Sequence, residues 1–289
     1  MIHYHSFPDL QWLKTRAENK FNGDRWPTAV LNVKTTATLR DNIPGPLSLF
    51  SNVSGESLVM VDGKTSLVND SHFFISNNTQ RYTLEIAKNK STETFNIHFG
   101  ETWLDNIIEG QQVEFYNKLY PKDDVVKSIL AQLKPDKTIL EREELLTQLV
   151  VHLLRVNRNE KIRIESLEAT KLATRQDIIR RLHLATDHIY SYYQKDISLD
   201  ELSKISMLSK FHFVRAFRQA FGMAPHQFLI QVRIERAKHL LSTGLEVAQT
   251  GRLVGISDSS SFSRLFKNQT GFYPSTFRNF CHSPHRQES

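Results

Sequence analysis

The chain has 289 residues, of which 39% are hydrophobic and 24% charged, and this length predicts two domains that each bury a core. No apolar run approaches the roughly 20 residues that a membrane span needs, and the first residues, MIHYHSFPDLQW, have neither the basic start nor the apolar stretch of a secretory signal. The single cysteine, Cys281, cannot form an internal disulfide. Together these features predict a soluble, cytoplasmic protein without a membrane partner.

The positive charge of the chain is concentrated in its C-terminal part. Residues 174–289 carry 16 Lys and Arg against 9 Asp and Glu, whereas residues 1–173 carry 21 against 22. Such an excess is typical of a domain that meets a polyanion, although a merely basic domain has the same composition. The distribution therefore favours a nucleic-acid partner without establishing one.

Residues 28–99 contain about seven short runs rich in Val, Ile, Phe and Thr, which predict strands. The runs are TAVLNVK, SLFSNVS, SLVMV, TSLVN, HFFIS, QRYTLEI and TFNIHF. Asp62 and Gly63, between the third and fourth runs, are typical of a two-residue hairpin, because a type I′ turn needs positive φ at both central positions. The pattern predicts a small β-barrel or jelly roll of the cupin-like kind at the N-terminus.

From Asp123 the hydrophobic period becomes helical. One stripe comprises Val125, Val126, Ile129, Leu130 and Leu133, and a wider one comprises Leu145, Leu146, Leu149, Val150, Leu153 and Leu154. The wider stripe fits two arrangements: packing on the β-domain, or pairing with the same helix of another subunit. The charged stretch 158–173 predicts a linker between an N-terminal domain, 1–157, and a C-terminal domain, 174–289.

Candidate catalytic groups are sparse in the N-terminal domain. A jelly-roll metalloenzyme needs several His and carboxylate ligands that converge on one ion. The domain interior offers His72 and His98, which are far apart in the sequence, and the chain has no phosphate-binding loop, nucleophile elbow or Cys/His zinc cluster. We therefore expect no enzymatic activity, no metal and no cofactor.

The C-terminal part contains an internal repeat. Residues 213–228, FVRAFRQAFGMAPHQF, align with residues 262–277, FSRLFKNQTGFYPSTF, with six identical and two conservatively exchanged positions. Both segments follow the pattern F-x-R-x-F-[RK]-[QN]-x-x-G-x-x-P-x-x-F, which is too long a match to arise by chance in two unrelated helices. We expect the same supersecondary unit to occur twice.

Local signals predict that each unit is a helix-turn-helix. In the first unit, Ser198 with Glu201 forms a capping box that starts a short helix, and Ser209 caps a second helix after a tight turn. The second helix buries one face, which comprises Phe213, Ala216, Phe217, Ala220 and Phe221. Gly222 predicts a left-handed C-cap, and Pro225 predicts the first turn of the next helix.

The exposed face of each second helix carries the candidate DNA contacts. Arg215 and Arg264 occupy the same place in the two units, and arginine presents a donor fork that matches guanine O6 and N7. Serines pair with base edges or phosphates, and apolar side chains touch thymine methyl groups. The predicted contacts are Ser209, Lys210, Phe211, His212, Val214, Arg215 and Arg218 in the first unit and Ser259, Ser260, Ser261, Ser263, Arg264 and Lys267 in the second. A solvated basic face is the alternative interpretation, and the repeated arginine disfavours it.

A predicted helical rod from Pro225 to Thr243, nineteen residues and roughly 28 Å long, separates the two units. Adjacent major grooves on one face of B-DNA lie about 34 Å apart. With the thickness of the units added, the rod predicts that one subunit places both second helices in neighbouring grooves. Such a subunit reads an extended site on double-stranded DNA and needs no palindrome.

The segment 236–278, RAKHLLSTGLEVAQTGRLVGISDSSSFSRLFKNQTGFYPSTFR, resembles the signature of the AraC/XylS family of bacterial transcription regulators. The resemblance extends over about residues 178–280 and implies an all-α C-terminal domain of seven helices with a double helix-turn-helix. The whole chain is then an α+β protein of two domains. By position, the resemblance implies base contacts from Phe211, Val214 and Arg215 in the first unit and from Ser260, Ser263 and Arg264 in the second.

The chain departs from the family pattern at Thr250 and Gly251, where a branched aliphatic residue and alanine are usual. Glycine inside a helix costs about 1 kcal/mol relative to alanine. We therefore expect the second unit to be the looser and weaker reader of DNA.

The resemblance also implies that the N-terminal domain binds a small-molecule effector and that helices between Leu145 and Leu154 form a homodimer. Contact with RNA polymerase is a further expectation. Arg81, Tyr82 and His98 are candidate effector contacts, or equally surface and core residues. Two other functions stay open: a non-specific architectural DNA-binding protein, and a DNA-tethered cupin metalloenzyme.

Overall fold

The computed structural model describes residues 2–6, 26–168 and 171–282. The chain divides into two compact units, Met1–Ile162 and Arg163–Ser289. Each unit has a hydrophobic core of its own. None of the helices described combines the length and the hydropathy that crossing a membrane requires.

The described strands of the first unit form two sheets. They are β1 (His3–Ser6), β2 (Ala29–Thr35), β3 (Thr38–Pro44), β4 (Leu47–Ser54), β5 (Ser57–Val61), β6 (Lys64–Val68), β7 (His72–Ser76), β8 (Arg81–Ile86), β9 (Thr92–Phe99) and β10 (Leu119–Pro121). The larger sheet has the order β1-β2-β9-β4-β7-β10, and the smaller has the order β3-β8-β5-β6. Strand β1 pairs in parallel with β2, whereas the other pairs are antiparallel.

All seven predicted strands are confirmed. Asp62 and Gly63 have φ angles of 49° and 74°, as the predicted hairpin between β5 and β6 requires. The sequence pattern missed β3, because TLRDNIP is polar and its one leucine, Leu39, faces outward with 66% of its surface exposed.

Neither sheet closes on itself in the part of the chain that the structure describes, so the prediction of a barrel is wrong. The two open sheets face each other through aromatic side chains: the ring centroids of Phe50 on β4 and Tyr82 on β8 are 4.7 Å apart. Strand β7 is buried on both faces, because Phe73 and Ile75 share a core with the helices that follow and the strand also contacts β6 of the smaller sheet. The cupin-like class stays a prediction.

The described part of the first unit also contains three helices: α1 (Glu101–Ile108), α2 (Asp124–Gln132) and α3 (Ile139–Glu165), the last of which continues three residues beyond Ile162. Five members of the predicted leucine stripe, Leu145, Leu146, Leu149, Val150 and Leu153, are at most 8% exposed and share a core with the larger sheet, while Leu154 is partly buried against it. Of the two predicted arrangements, packing on the β-domain is therefore the one observed. These side chains are not available to a second subunit.

The stretch 158–173, predicted as a linker, is largely helical. Helix α3 continues to Glu165 and the next helix begins at Leu172. The residues RNEKIRIE are charged but are also compatible with a helix, and Ile164 among them is buried. The linker and the domain bounds stay a prediction.

Seven helices follow in the described part of the second unit, the number that the resemblance implies. They are α4 (Leu172–Tyr192), α5 (Leu199–Ile205), α6 (Lys210–Phe221), α7 (Pro225–Ser242), α8 (Val247–Leu253), α9 (Ser259–Thr270) and α10 (Pro274–His282). Helix α7 has the predicted start and ends one residue before the predicted Thr243.

Candidate nucleic-acid interface

The first helix-turn-helix comprises α5 and α6, and both helices begin at the predicted N-caps, whereas the Glu201 carboxylate, predicted to complete a capping box, pairs with His188. The Ser198 hydroxyl accepts from the backbone N–H of Glu201 at 3.1 Å, and the Ser209 hydroxyl accepts from that of His212 at 3.4 Å. Gly222, with a φ of 71°, ends α6 in the left-handed conformation. Short-range capping therefore sets where each helix begins and ends.

The second helix-turn-helix repeats this geometry in α8 and α9. Helices α6 and α9 both contain twelve residues, and Gly271 ends α9 with a φ of 82°. Asp258 replaces serine as the cap and accepts from the backbone N–H of Ser261 at 2.7 Å. The hydroxyl and N–H of Ser261 hold the pKa of Asp258 below its ordinary value. The internal repeat of the sequence is thus a repeat of structure.

Equivalent phenylalanines hold the core of each unit. Phe213 and Phe217 are fully buried on α6, and Phe262 and Phe266 are fully buried on α9. The ring of Phe217 lies 5.5 Å from that of Phe228, and Phe266 makes the equivalent contact with Phe277 at 5.5 Å. Burying these faces leaves the opposite faces of α6 and α9 toward solvent.

Helix α7 joins the two helix-turn-helix motifs. It contacts α6 of the first motif and α8, α9 and α10 of the second. Arg233, buried on α7, donates to the carbonyl oxygens of Tyr193 and Lys195 at 2.7 Å each, just beyond α4. Because a buried guanidinium must find acceptors, this arrangement anchors the rod to the first helix of the domain.

The DNA contacts predicted for the first helix-turn-helix lie on the open face of α6. Ser209, Lys210, Phe211, His212, Arg215 and Arg218 are exposed, and Val214 is half-buried. Phe211 has 79% of its surface exposed, which is unusual for a large aromatic side chain. The Lys210 ammonium pairs with Asp200, and the Arg215 guanidinium pairs with Glu168. The sequence did not suggest either carboxylate partner.

The DNA contacts predicted for the second helix-turn-helix lie on the open face of α9. Ser259, Ser260, Arg264 and Lys267 are exposed, whereas Ser261 and Ser263 are half-buried. The Lys267 ammonium lies 4.2 Å from the ring centroid of Tyr273 and donates to its hydroxyl at 3.2 Å. Tyr273 was not among the predicted residues, and its position two residues after the C-cap glycine is its only signal in the sequence.

Gly251 is closely packed in α8. A Cβ atom there would lie 2.9 Å from the carbonyl oxygen of Ile256 and 3.4 Å from the ring of Phe262. The N–H of Ile256 donates to the Gly251 carbonyl at 2.8 Å, which brings the turn this near. The packing therefore requires glycine. That the second helix-turn-helix reads DNA more weakly than the first stays a prediction.

The candidate effector contacts do not all come together. Arg81 is exposed and donates to the side chain and carbonyl of Asn42 at 2.8 and 2.6 Å, whereas Tyr82 and His98 are buried between the sheets with ring centroids 6.2 Å apart. Neighbouring strand residues point to opposite faces, which separates Arg81 from Tyr82.

Arg40 on β3 also lies beside Tyr82, and the sequence pattern did not identify it as a candidate contact. It is half-buried while Leu39 beside it is exposed, the reverse of the usual preference. Its side chain hydrogen-bonds Tyr82, and desolvation lowers its pKa. An inward arginine beside an outward leucine is a signal that could have identified it.

His98 presents an unused acceptor to this cluster. The Ser48 hydroxyl donates to the Pro46 carbonyl at 2.8 Å and lies 2.8 Å from Nδ1 of His98. Nδ1 is therefore the donor to Ser48, and Nε2 is the acceptor. Nε2 is buried and makes no hydrogen bond in the described part of the chain. Burial lowers the pKa of His98 to about 3, so the ring is neutral.

A separate cleft of about 750 Å³ lies beside α1 in the first unit. Its lining includes Leu47, Asn77, Gln80, Phe99 and Glu101 but none of the candidate effector contacts. Among the described residues, no three His, Cys, Asp or Glu side chains come together as metal ligands would.

Residues 202–279, which run from α5 to α10, match a family model described as a helix-turn-helix domain. The chain is similar to the MmsAB operon regulatory protein of Pseudomonas aeruginosa, with 36% identity over 105 residues that make up 35% of this chain and 34% of that protein. The C-terminal domain is of the AraC/XylS type.

The chain is also similar to the arabinose operon regulatory protein of Escherichia coli, with 31% identity over 131 residues, 45% of each chain. A solved AraC-type transcriptional regulator from Chromobacterium violaceum matches 36% of this chain and 95% of that chain, with 24% identity and a TM-score of 0.34. The chain spans a third to a half of the length of four of the curated relatives that it matches, including the two named above.

Proposed function

We propose that this chain is a sequence-specific transcription regulator that reads double-stranded DNA with α6 and α9. The observation that carries the proposal is the equivalence of these helices: each buries its phenylalanines and leaves an arginine, Arg215 or Arg264, exposed at the same position. A merely solvated basic face does not require that equivalence. The similarity to two operon regulatory proteins also supports the proposal.

Each exposed side chain has a role that follows from its chemistry. Arg215 and Arg264 donate to guanine O6 and N7, and Phe211 contacts a thymine methyl group. Ser260 pairs with a base edge or a phosphate. Lys267, held over Tyr273, neutralises a phosphate.

The length of α7 supports reading by a single subunit. Its 18 residues span about 27 Å, and with the thickness of the flanking helices this approaches the roughly 34 Å between neighbouring major grooves. The DNA site is therefore an extended sequence rather than a palindrome.

Footprinting of the full chain on random DNA tests this function. Arg215→Ala and Arg264→Ala should each reduce the free energy of binding by about 1 to 3 kcal/mol and relax the preference for one base position. Lys267→Ala should instead weaken binding to all sequences alike. Lys238→Ala, which removes a positive charge from α7, is the matched control. Uniform affinity for all sequences would refute the function and favour the architectural alternative.

Arg40, Tyr82 and His98 form the effector site in this proposal. Arg40 supplies donors for an anionic or carbonyl group, and the free Nε2 of His98 accepts from a hydroxyl or amide. Small organic acids should raise the melting temperature of wild type and of Arg81→Met but not of Arg40→Met. Equal responses of the two variants would place the effector elsewhere, for example in the cleft beside α1.

A homodimer belongs to the proposal through the outer face of α3. Leu140, Val151 and Ile162 are 74%, 39% and 55% exposed, and the two outer residues each lie eleven positions from Val151. Exposed Glu144 and Arg158 also lie symmetrically about Val151, so antiparallel pairing joins opposite charges. Val151→Glu should give monomers in sedimentation experiments, and Gln148→Glu should not. Contact with RNA polymerase, a cytoplasmic location and the lack of enzymatic activity stay predictions.

A further inference from the structure

Residues 163–168 lie along the recognition helix α6. The Arg163 guanidinium is 5.2 Å from the ring centroid of Phe221, and the Ser166 hydroxyl hydrogen-bonds the carbonyl of Gln219 at 3.0 Å. The carboxylate of Glu168 then pairs with Arg215. Contacts at three positions along one helix show that the segment is attached to α6 rather than touching it once.

Buried side chains hold the segment in this place. Ile164 and Leu167 are each only 4% exposed, while Glu165 and Glu168 between and after them are exposed. Burial of two apolar side chains fixes the backbone that carries Glu168. The backbone that carries the carboxylate is therefore restrained by this burial as well as by the ion pair.

Glu168 offers Arg215 the same pair of acceptors as a guanine does. A carboxylate accepts two parallel N–H bonds from a guanidinium, and guanine O6 and N7 accept the same fork. Arg215 donates to Glu168, and the pairing with Arg215, assisted by the side chain of Gln219, lowers the pKa of Glu168. Nη2 of Arg215, one of the donors that would read a base, is thus already engaged.

The pair is also open to competition. The side chains of Arg215 and Glu168 are 58% and 62% exposed, and ion pairs in water are weak and screened by salt. A DNA site with a guanine at the right position can therefore displace Glu168. The position of the segment in the chain is informative as well, because it begins where the first unit ends at Ile162.

We propose that Glu168 is an internal competitor of DNA for Arg215, so that residues 163–168 restrain the first recognition helix until they are displaced. This inference rests on the proposed function, because it needs Arg215 to contact a base. A change in the N-terminal unit that withdraws the segment would free Arg215, which makes the contact a point of regulation.

The experiment compares Glu168→Gln with Glu165→Gln in the full chain. Both variants remove one negative charge from the same segment, but only the first removes the partner of Arg215. At fixed salt, Glu168→Gln should bind the preferred site about two- to fivefold more tightly than Glu165→Gln. Affinity for random DNA should rise equally in the two variants, because phosphate contacts respond to charge alone.

An Arg215→Ala background provides the decisive control. There the advantage of Glu168→Gln over Glu165→Gln should vanish. If the two variants bind alike in the wild-type background, or if the advantage persists without Arg215, the proposed competition is overturned while the DNA-binding function stands. If neither wild type nor any variant prefers a site, the DNA-binding function fails and the competition fails with it.

Discussion

His98 makes the stability of the first unit depend on pH. The ring is fully buried between the sheets, and burial, with a smaller contribution from the charge of Arg40, lowers its pKa from 6.5 to about 3. Below pH 6.5 the unfolded chain binds a proton at His98 that the folded chain does not bind until about pH 3. The contribution of the neutral His98 to the free energy of unfolding is therefore complete above pH 6.5 and is lost as the pH falls toward 3.

The magnitude follows from the size of this window. Each pH unit inside it costs up to about 1.4 kcal/mol. Between pH 7 and pH 5 most of the titration of an unfolded histidine is traversed, so the contribution of His98 to the free energy of unfolding falls by about 2 kcal/mol.

Tryptophan fluorescence isolates the first unit for this measurement, because Trp12, Trp26 and Trp103 all precede Arg163. Urea unfolding at pH 7 and pH 5 gives the two free energies for wild type and for His98→Gln. The variant should lose about 2 kcal/mol less than wild type on acidification, even if it is less stable at both pH values. His226→Gln, at an exposed position in the second unit, should behave as wild type. An equal loss in wild type and His98→Gln would refute the reasoning.

Two further predictions concern the C-terminal unit, Arg163–Ser289, and use far-UV circular dichroism during urea unfolding of the full chain. Phe217→Ala and Phe266→Ala should each cost about 3 to 5 kcal/mol, because both rings are fully buried at equivalent positions, whereas Phe280→Ala, where 84% of the side chain is exposed, should cost little. Tolerance of either buried substitution would contradict the equivalence of the two cores. Gly251→Val should destabilise the chain by about 1 to 3 kcal/mol because its Cβ meets the Ile256 carbonyl, and Gln249→Val on the exposed face of α8 should not. A stable Gly251→Val would show that the turn can move.

Features that arise from neighbours along the chain could be predicted from the amino-acid sequence. Ser198 and Ser209 cap the predicted helices, Gly222 takes the left-handed conformation, and Asp62 with Gly63 forms the predicted hairpin. Each of these depends on hydrogen bonds or φ angles within a few residues. The helical period likewise identified the buried phenylalanines, and hence the exposed row opposite them.

Contacts between residues that are far apart in the sequence became visible only in the folded chain. The open sheets rather than a barrel, and the burial of the leucine stripe of α3 in its own core, depend on how whole layers pack. Arg40 faces inward because of the strand pairing of β3 with β8, and Glu168 reaches Arg215 across 47 positions of sequence. Local patterns carry no record of such contacts, because their energy appears only when distant segments are brought together.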